Sequence, residues 1–291
     1  MTANARPRRS MLYMPGANTR ALEKGRSIAT DAIILDLEDA VSPDAKDEAR
    51  QNVINATNEG GYGKRELLLR TNGLNTPWGY DDIVAAAKAK VDAVLIPKVD
   101  SADMVLQVQA ILEANGAPED LKIWCMIETP RGVLNADEIA GATPRLGGFV
   151  MGTNDLAKEL HCAHTPLRLP MLTALSQCLL AARANGIAIL DGVYMDLNDA
   201  EGFKDSCQQG KEFGFDGKTL IHPKQVAPCN EVFAPSEEDI AHAKRVIEAF
   251  DAALAEGKGV ATLDGKLIEN LHVAMAHELV KSAELIKEME A

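Results

Sequence analysis

Along this chain a short unbroken apolar run, a polar break and a longer stretch with helical spacing recur in that order. Arg9-Ser-Met-Leu-Tyr-Met14 is strand-like and stops at Pro15-Gly16. Further strand-like runs cover residues 32–37, 66–70, 93–97, 123–127, 147–151, 187–190 and 218–221. Between them the spacing predicts helices over 19–29, 44–58, 80–90, 101–115, 135–140, 167–185 and 199–213. Ser42-Pro43 offers a serine cap and a first-turn proline to the second helix. Gly116 and Gly186 stand where helix terminators belong. The strand runs are apolar throughout rather than alternating, which suits parallel strands covered on both faces. Eight strand–helix units in about 230 residues is the spacing of an α/β fold of the (β/α)8 TIM-barrel type. A doubly wound sheet is the rival, but it usually has fewer strands, and no Gly-x-Gly-x-x-Gly follows the first one.

The region after Val226 is extra to the barrel. Residues 236–256 form one helix, started by Ser236-Glu-Glu-Asp239. Gly257-Lys-Gly259 breaks it, residues 260–267 centre on Asp264-Gly265 as a hairpin, and 271–290 form a last amphipathic helix. Two domains are therefore expected: a catalytic barrel over 1–230, and a helical extension over 231–291 that closes the barrel mouth or reaches a neighbouring subunit.

Composition narrows the function classes. The 291 residues can bury a sizeable core. Aromatics are only 4%, so that core is mostly Ala, Val, Ile and Leu. A formal net charge of −13 argues against nucleic acid or an anionic membrane as partner. Residues 1–9 are polar and basic but lead into no signal-type apolar stretch, and no segment has the length of a membrane span. Five scattered cysteines without a Cys-x-x-Cys fit reduced thiols in a cytoplasmic protein.

In a barrel of this kind the C-terminal strand ends carry the chemistry. Here they supply Pro15-Gly16, Asp36 with Glu38 and Asp39, Arg70, Lys98, Glu128, Asp155, Asp191 and His222. Glu128 ends Lys122-Ile-Trp-Cys-Met-Ile-Glu128, and Asp155 follows Phe149-Val-Met-Gly152 on the next strand. Two carboxylates on neighbouring strands, completed by substrate oxygens and water, suit Mg²⁺. Arg70 can hold a carboxylate or stabilise an enolate oxygen, or can instead pair with Glu38 and Asp39. Gly152 and Thr153 let backbone N–H groups approach a substrate anion. The first βα loop, with Asn18, Arg20 and Lys24, is basic against an acidic background and can meet phosphates or simply be solvated. His161-Cys162-Ala163-His164 lacks the spacing of a helical metal pair and reads as a loop.

Taken together, Pro15-Gly16, Ile34-Leu-Asp-Leu-Glu-Asp-Ala-Val41, Arg70-Thr-Asn-Gly73, Ile96-Pro-Lys98, Ile127-Glu-Thr-Pro130, Gly152-Thr-Asn-Asp155 and Ile221-His-Pro223 resemble the citrate lyase beta-subunit-like CoA-ester lyases. That group includes malyl-CoA and citramalyl-CoA lyases and a malyl-CoA thioesterase. The resemblance implies Mg²⁺ on Glu128 and Asp155, Arg70 at the substrate's reacting oxygens, and Asn18, Arg20 and Lys24 at the CoA phosphates. It implies a homotrimer or hexamer. It also places Glu269, within Asp264-Gly-Lys-Leu-Ile-Glu269-Asn-Leu-His272, where several lyases carry an aspartate at a neighbour's active site. The leading expectation is Mg²⁺-dependent retro-Claisen cleavage of a malyl-CoA-type 3-hydroxyacyl-CoA. Thioester hydrolysis in the same site is the alternative, with Glu269, as well as Arg70, a catalytic residue in either reaction. A non-catalytic CoA-binding subunit of a lyase complex is the third.

Overall fold

The computed structural model describes residues 6–290. The first five residues of the basic N-terminal stretch lie outside that range. Two compact units are present: Arg8–Phe233, and a second whose described part is residues 234–290 with Arg6 and Pro7. Among the described residues no helix is long and apolar enough to cross a membrane.

The first unit is a closed eight-stranded parallel barrel in sequential order. Its elements are β1 (Ser10–Pro15), α1 (Thr19–Gly25), β2 (Ala32–Asp36), α2 (Lys46–Glu59), β3 (Glu66–Arg70), α3 (Gly79–Ala86), β4 (Ala93–Ile96), α4 (Ala102–Ala114) and β5 (Lys122–Ile127). They continue with α5 (Pro130–Leu134), α6 (Ala136–Ala140), β6 (Leu146–Met151), α7 (Thr153–Glu159), α8 (Leu172–Ala184), β7 (Ala188–Asp191), α9 (Ala200–Phe213), β8 (Gly217–Leu220) and α10 (Val226–Phe233). Closure is made by β1 against β8, with Ser10 opposite Lys218 and Leu12 opposite Leu220.

Strand parity sorts the core into two layers. Met11, Ile34, Leu68, Leu95, Trp124, Met126, Val150 and Leu190 fill the barrel interior. Their neighbours in sequence, such as Leu12, Leu35, Leu69, Cys125 and Ile189, join the larger cluster under the helices. Trp124 has no exposed surface. Its room comes from Gly148, where a Cβ would lie 2.7 Å from the indole, and the Arg8 guanidinium stacks on its ring at 5.2 Å.

Several elements depart from the periodicity reading; the helix predicted over 80–90, for instance, ends at Ala86. The helix predicted over 19–29 stops at Gly25, where Arg26 N–H donates to Glu23 O, and Ser27 donates to Lys24 O through both N–H and Oγ, tightening the last turn. The helix predicted over 167–185 starts only at Leu172, because Arg168 sits at φ 52° and Pro170 opens a 3-10 turn. The stretch after Gly152, read as a strand end, is the first turn of α7.

The second unit is a helix–hairpin–helix: α11 (Glu237–Ala255), β9 (Ala261–Leu263), β10 (Lys266–Ile268) and α12 (Asn270–Glu290). Ser236 and Asp239 form the reciprocal cap of α11. Asp264 and Gly265 both have positive φ, 51° and 77°, as the two-residue turn between β9 and β10 requires. Val246, Phe250, Ile268 and Val273 are central to its small core.

Candidate active site

At the C-terminal end of the barrel lies a cavity of about 350 Å³. Asp36, Asp39, Arg70, Glu128, Gly152, Thr153 and Asp155 line it, with Tyr13, Met126, Met151, Val193, Met195, Thr219 and Ile221 among the remaining walls. The polar residues arrive by simple rules. Asp36, Arg70 and Glu128 each stand two positions after an interior residue (Ile34, Leu68 and Met126), so all three point inward.

Arg70 is the most constrained group. Its Nε and Nη2 donate to Oδ1 and Oδ2 of Asp36, both at 2.7 Å. Its Nη1 lies 2.7 Å from Glu38 Oε2 and 3.7 Å from Met126 Sδ, and the guanidinium stacks 4.7 Å above the Tyr13 ring. Burial works against its charge, but Asp36 foremost holds it protonated. Asp36 is itself oriented by the N–H groups of Glu38 and Ala40.

Glu128 is 2% exposed. Its Oε1 accepts the Lys98 N–H at 2.8 Å, and its Oε2 faces Gly152, where any Cβ would collide with it. Burial, then the charge of Glu38, pushes its carboxyl up to about 8. Glu38 is pushed up to about 7 by burial, with Asp39 and Asp36 adding to the effect and Arg70 opposing it. Asp155 occupies the first turn of α7, where the helix dipole favours a carboxylate. Lys98 lies close to this group: although burial opposes its charge, Asp155, Glu38 and Glu128 hold its pKa above the ordinary value.

The donors suit a hard divalent cation. Glu128 Oε2 sits in a cradle a Cβ would fill, and neither His nor Cys lines the cavity. Among the described residues no three metal-type side chains converge. A cation there would therefore keep positions for water and substrate, as Mg²⁺ does.

The remaining sequence candidates fall elsewhere. Asn18, Arg20 and Lys24 are exposed around α1 and do not line the cavity. The Asn18 side chain is already engaged, accepting Ala21 N–H as the helix cap. Glu269 is exposed in the second unit, its N–H donating to His272 Nδ1. Asp191 is corrected: it follows the inward Leu190, so it points outward, buried between Lys218 Nζ at 2.9 Å and Arg168 Nη1 at 2.6 Å. His222 caps the short 3-10 turn before α10. Sequence reasoning passed over Tyr13 and Thr219, although counting by two from Met11 reaches Tyr13.

Comparison with known proteins places this geometry. The chain is 51% identical over 286 residues to a (3S)-malyl-CoA thioesterase of Cereibacter sphaeroides (strain KD131), covering 98% of each chain. It is 37% identical to the citrate lyase subunit beta of Escherichia coli (strain K12), over 96% of this chain and 94% of that one. The fold matches Mycobacterium tuberculosis CitE, solved with magnesium, acetoacetate and coenzyme A, at a TM-score of 0.76 and 27% identity, covering 94% and 97% of the two chains. With residues 9–223 matching the family model as well, the chain belongs to the HpcH/HpaI aldolase/citrate lyase family.

Proposed function

We propose that the chain hydrolyses the thioester of a malyl-CoA-type 3-hydroxyacyl-CoA. The convergence of Glu128, Asp155 and Arg70 on one cavity carries the reading of a cation-assisted acyl site. The 51% identity to a thioesterase over nearly the whole of both chains supports hydrolysis over carbon–carbon cleavage, the reaction expected first from sequence.

In this reading Glu128 and Asp155 hold Mg²⁺. When bound, the ion supplies Lewis-acid polarisation of substrate oxygens. Arg70 faces the charge that develops on the thioester oxygen. Nη1 is its serving donor: beside its 2.7 Å ion pair with Glu38, its other contact, with the soft Met126 sulfur, yields readily to a charged oxygen. Asp36 keeps the guanidinium aimed, so no reorganisation is needed when that charge appears. Asn18, Arg20 and Lys24 are assigned to the CoA phosphates. Glu269 is assigned the proton of the attacking water, in its own subunit or from a neighbour in a trimer or hexamer.

Carbon–carbon cleavage remains the second reading, favoured by the 37% identity to a citrate lyase subunit. One assay separates the two. Purified protein, Mg²⁺ and malyl-CoA are incubated, and free thiol and glyoxylate are both quantified. Thiol without glyoxylate is expected; glyoxylate without thiol overturns hydrolysis.

A further inference from the structure

Lys98 ends the Ile96-Pro97-Lys98 motif, yet no catalytic step above uses its side chain. Its backbone is unusual: φ is 51°, in the left-handed region that residues with a Cβ seldom enter. Its N–H donates to Oε1 of Glu128 at 2.8 Å, and the next amide, that of Val99, donates to Met126 O at 3.3 Å. Two successive amides of the β4–α4 connection are thus tied to the end of β5. Two residues on, Asn135 Nδ2 donates to the carbonyl of Asp100 at 2.7 Å. A disfavoured backbone conformation persists where the surroundings over-determine it, and such places cluster at functional sites.

We propose that the left-handed backbone at Lys98 positions Glu128, clamping one carboxylate oxygen so that the other is presented to a divalent cation. The opposite wall completes the device. Oε2 faces Gly152, where the missing Cβ leaves room for the carboxylate to lie flat against the chain. A free glutamate offers both oxygens along many directions; one held through Oε1 offers Oε2 along a single direction. Lys98 therefore acts through its N–H and its φ, and its exposed ammonium is dispensable for aiming the ligand. This inference rests on Glu128 being a cation ligand.

Direct Mn²⁺ binding to the full chain, read by electron paramagnetic resonance without substrate, tests it. Glu128→Ala should remove binding, which secures the underlying reading. Lys98→Gly and Lys98→Ala keep the N–H and should bind Mn²⁺ close to wild type or more tightly, since a nearby positive charge is gone. Lys98→Val, whose β-branched side chain resists positive φ, should lose affinity roughly 10–100-fold, as removal of a ligand's orienting partner does. The metal-free Tm of Lys98→Gly should exceed that of Lys98→Ala, because glycine enters this region freely. Should Lys98→Val fail to fold, that Tm order decides, and its absence counts against the proposal. Equal losses in Lys98→Gly, Lys98→Ala and Lys98→Val, or wild-type affinity in Lys98→Val, would overturn it. Wild-type affinity in Glu128→Ala would instead overturn the cation reading beneath it.

Discussion

Replacing Asp36 by asparagine should weaken both the fold and the reaction. The Asp36–Arg70 pair is almost wholly buried, with side-chain exposures of 1% and 8%. Asparagine keeps one acceptor, enough for Arg70 Nε and the Glu38 N–H, but its amide NH₂ would face Arg70 Nη2 and the Ala40 N–H, setting donor against donor. Breaking a buried pair by removing one partner costs about 3–5 kcal/mol. Glu38 at 2.7 Å and Asp39 at 3.7 Å still compensate the guanidinium, so the low end, about 3 kcal/mol, is expected. That corresponds to a fall in Tm of roughly 6–12 °C. A guanidinium displaced by even part of an ångström should lower kcat on the order of 10²-fold, more than it alters KM. Urea unfolding and thiol release from malyl-CoA measure the two effects. In an Arg70→Met background the same substitution should cost at least about 1 kcal/mol less, because no cation is left unpaired. An Asp36→Asn protein with wild-type kcat and stability within about 0.5 kcal/mol of wild type would refute the positioning argument.

Other perturbations address the rest of the site. Glu128→Gln and Asp155→Asn should each abolish Mg²⁺-dependent turnover, and chelation with EDTA should do the same reversibly to the wild type; persistent thiol release under either condition would show that the pair is not needed. In metal-free protein the native state keeps a proton on Glu128, raised to about 8 by burial and Glu38, that the unfolded chain has already released. Metal-free stability should therefore fall as pH rises from about 4.5 towards 8, and the Tm gain from Mg²⁺ should grow over the same range; a gain independent of pH contradicts this. Gly152→Ala drives a Cβ into Glu128 and should cost about 1–3 kcal/mol while weakening Mg²⁺ binding, seen by calorimetry. Trp124→Ala should cost about 3–5 kcal/mol in urea unfolding, with a smaller loss indicating that the barrel interior closes over the gap.

Much of the barrel was legible because each strand is a continuous apolar run bounded by a proline, glycine or acid. Arg70 and Glu128 were legible as site residues for the same reason: an apolar run that ends in a charge puts that charge at a rim. What a rim does not reveal is direction. Asp191 has the same sequence appearance as Glu128, yet it falls on the opposite parity and pairs with Lys218 and Arg168 behind the wall. The two-residue step from Leu68 to Arg70 and the single step from Leu190 to Asp191 contain the distinction, once one interior residue per strand is known. Asp155 was found through the wrong element, since β6 ends at Met151 and Thr153 already starts α7. The Tyr13–Arg70 stack and the Lys98–Glu128 clamp join residues 57 and 30 positions apart and depend on how the strands line up in the sheet, which local pattern does not encode.

The filled interior of the barrel has a consequence for traffic. Met11, Leu68, Leu95 and Trp124 occupy the space beneath the cavity, so it is a blind well with a single mouth. In the proposed hydrolysis, both halves of the thioester would have to leave by the path along which the substrate arrived. In that reaction the acid fragment, assigned to Arg70 and to a cation on the carboxylate pair, would not pass a coenzyme still threaded through the opening. The expected order of departure is coenzyme first, acid second. A steady-state product-inhibition pattern in which the acid competes with substrate, and the thiol does not, is the kinetic signature of that architecture.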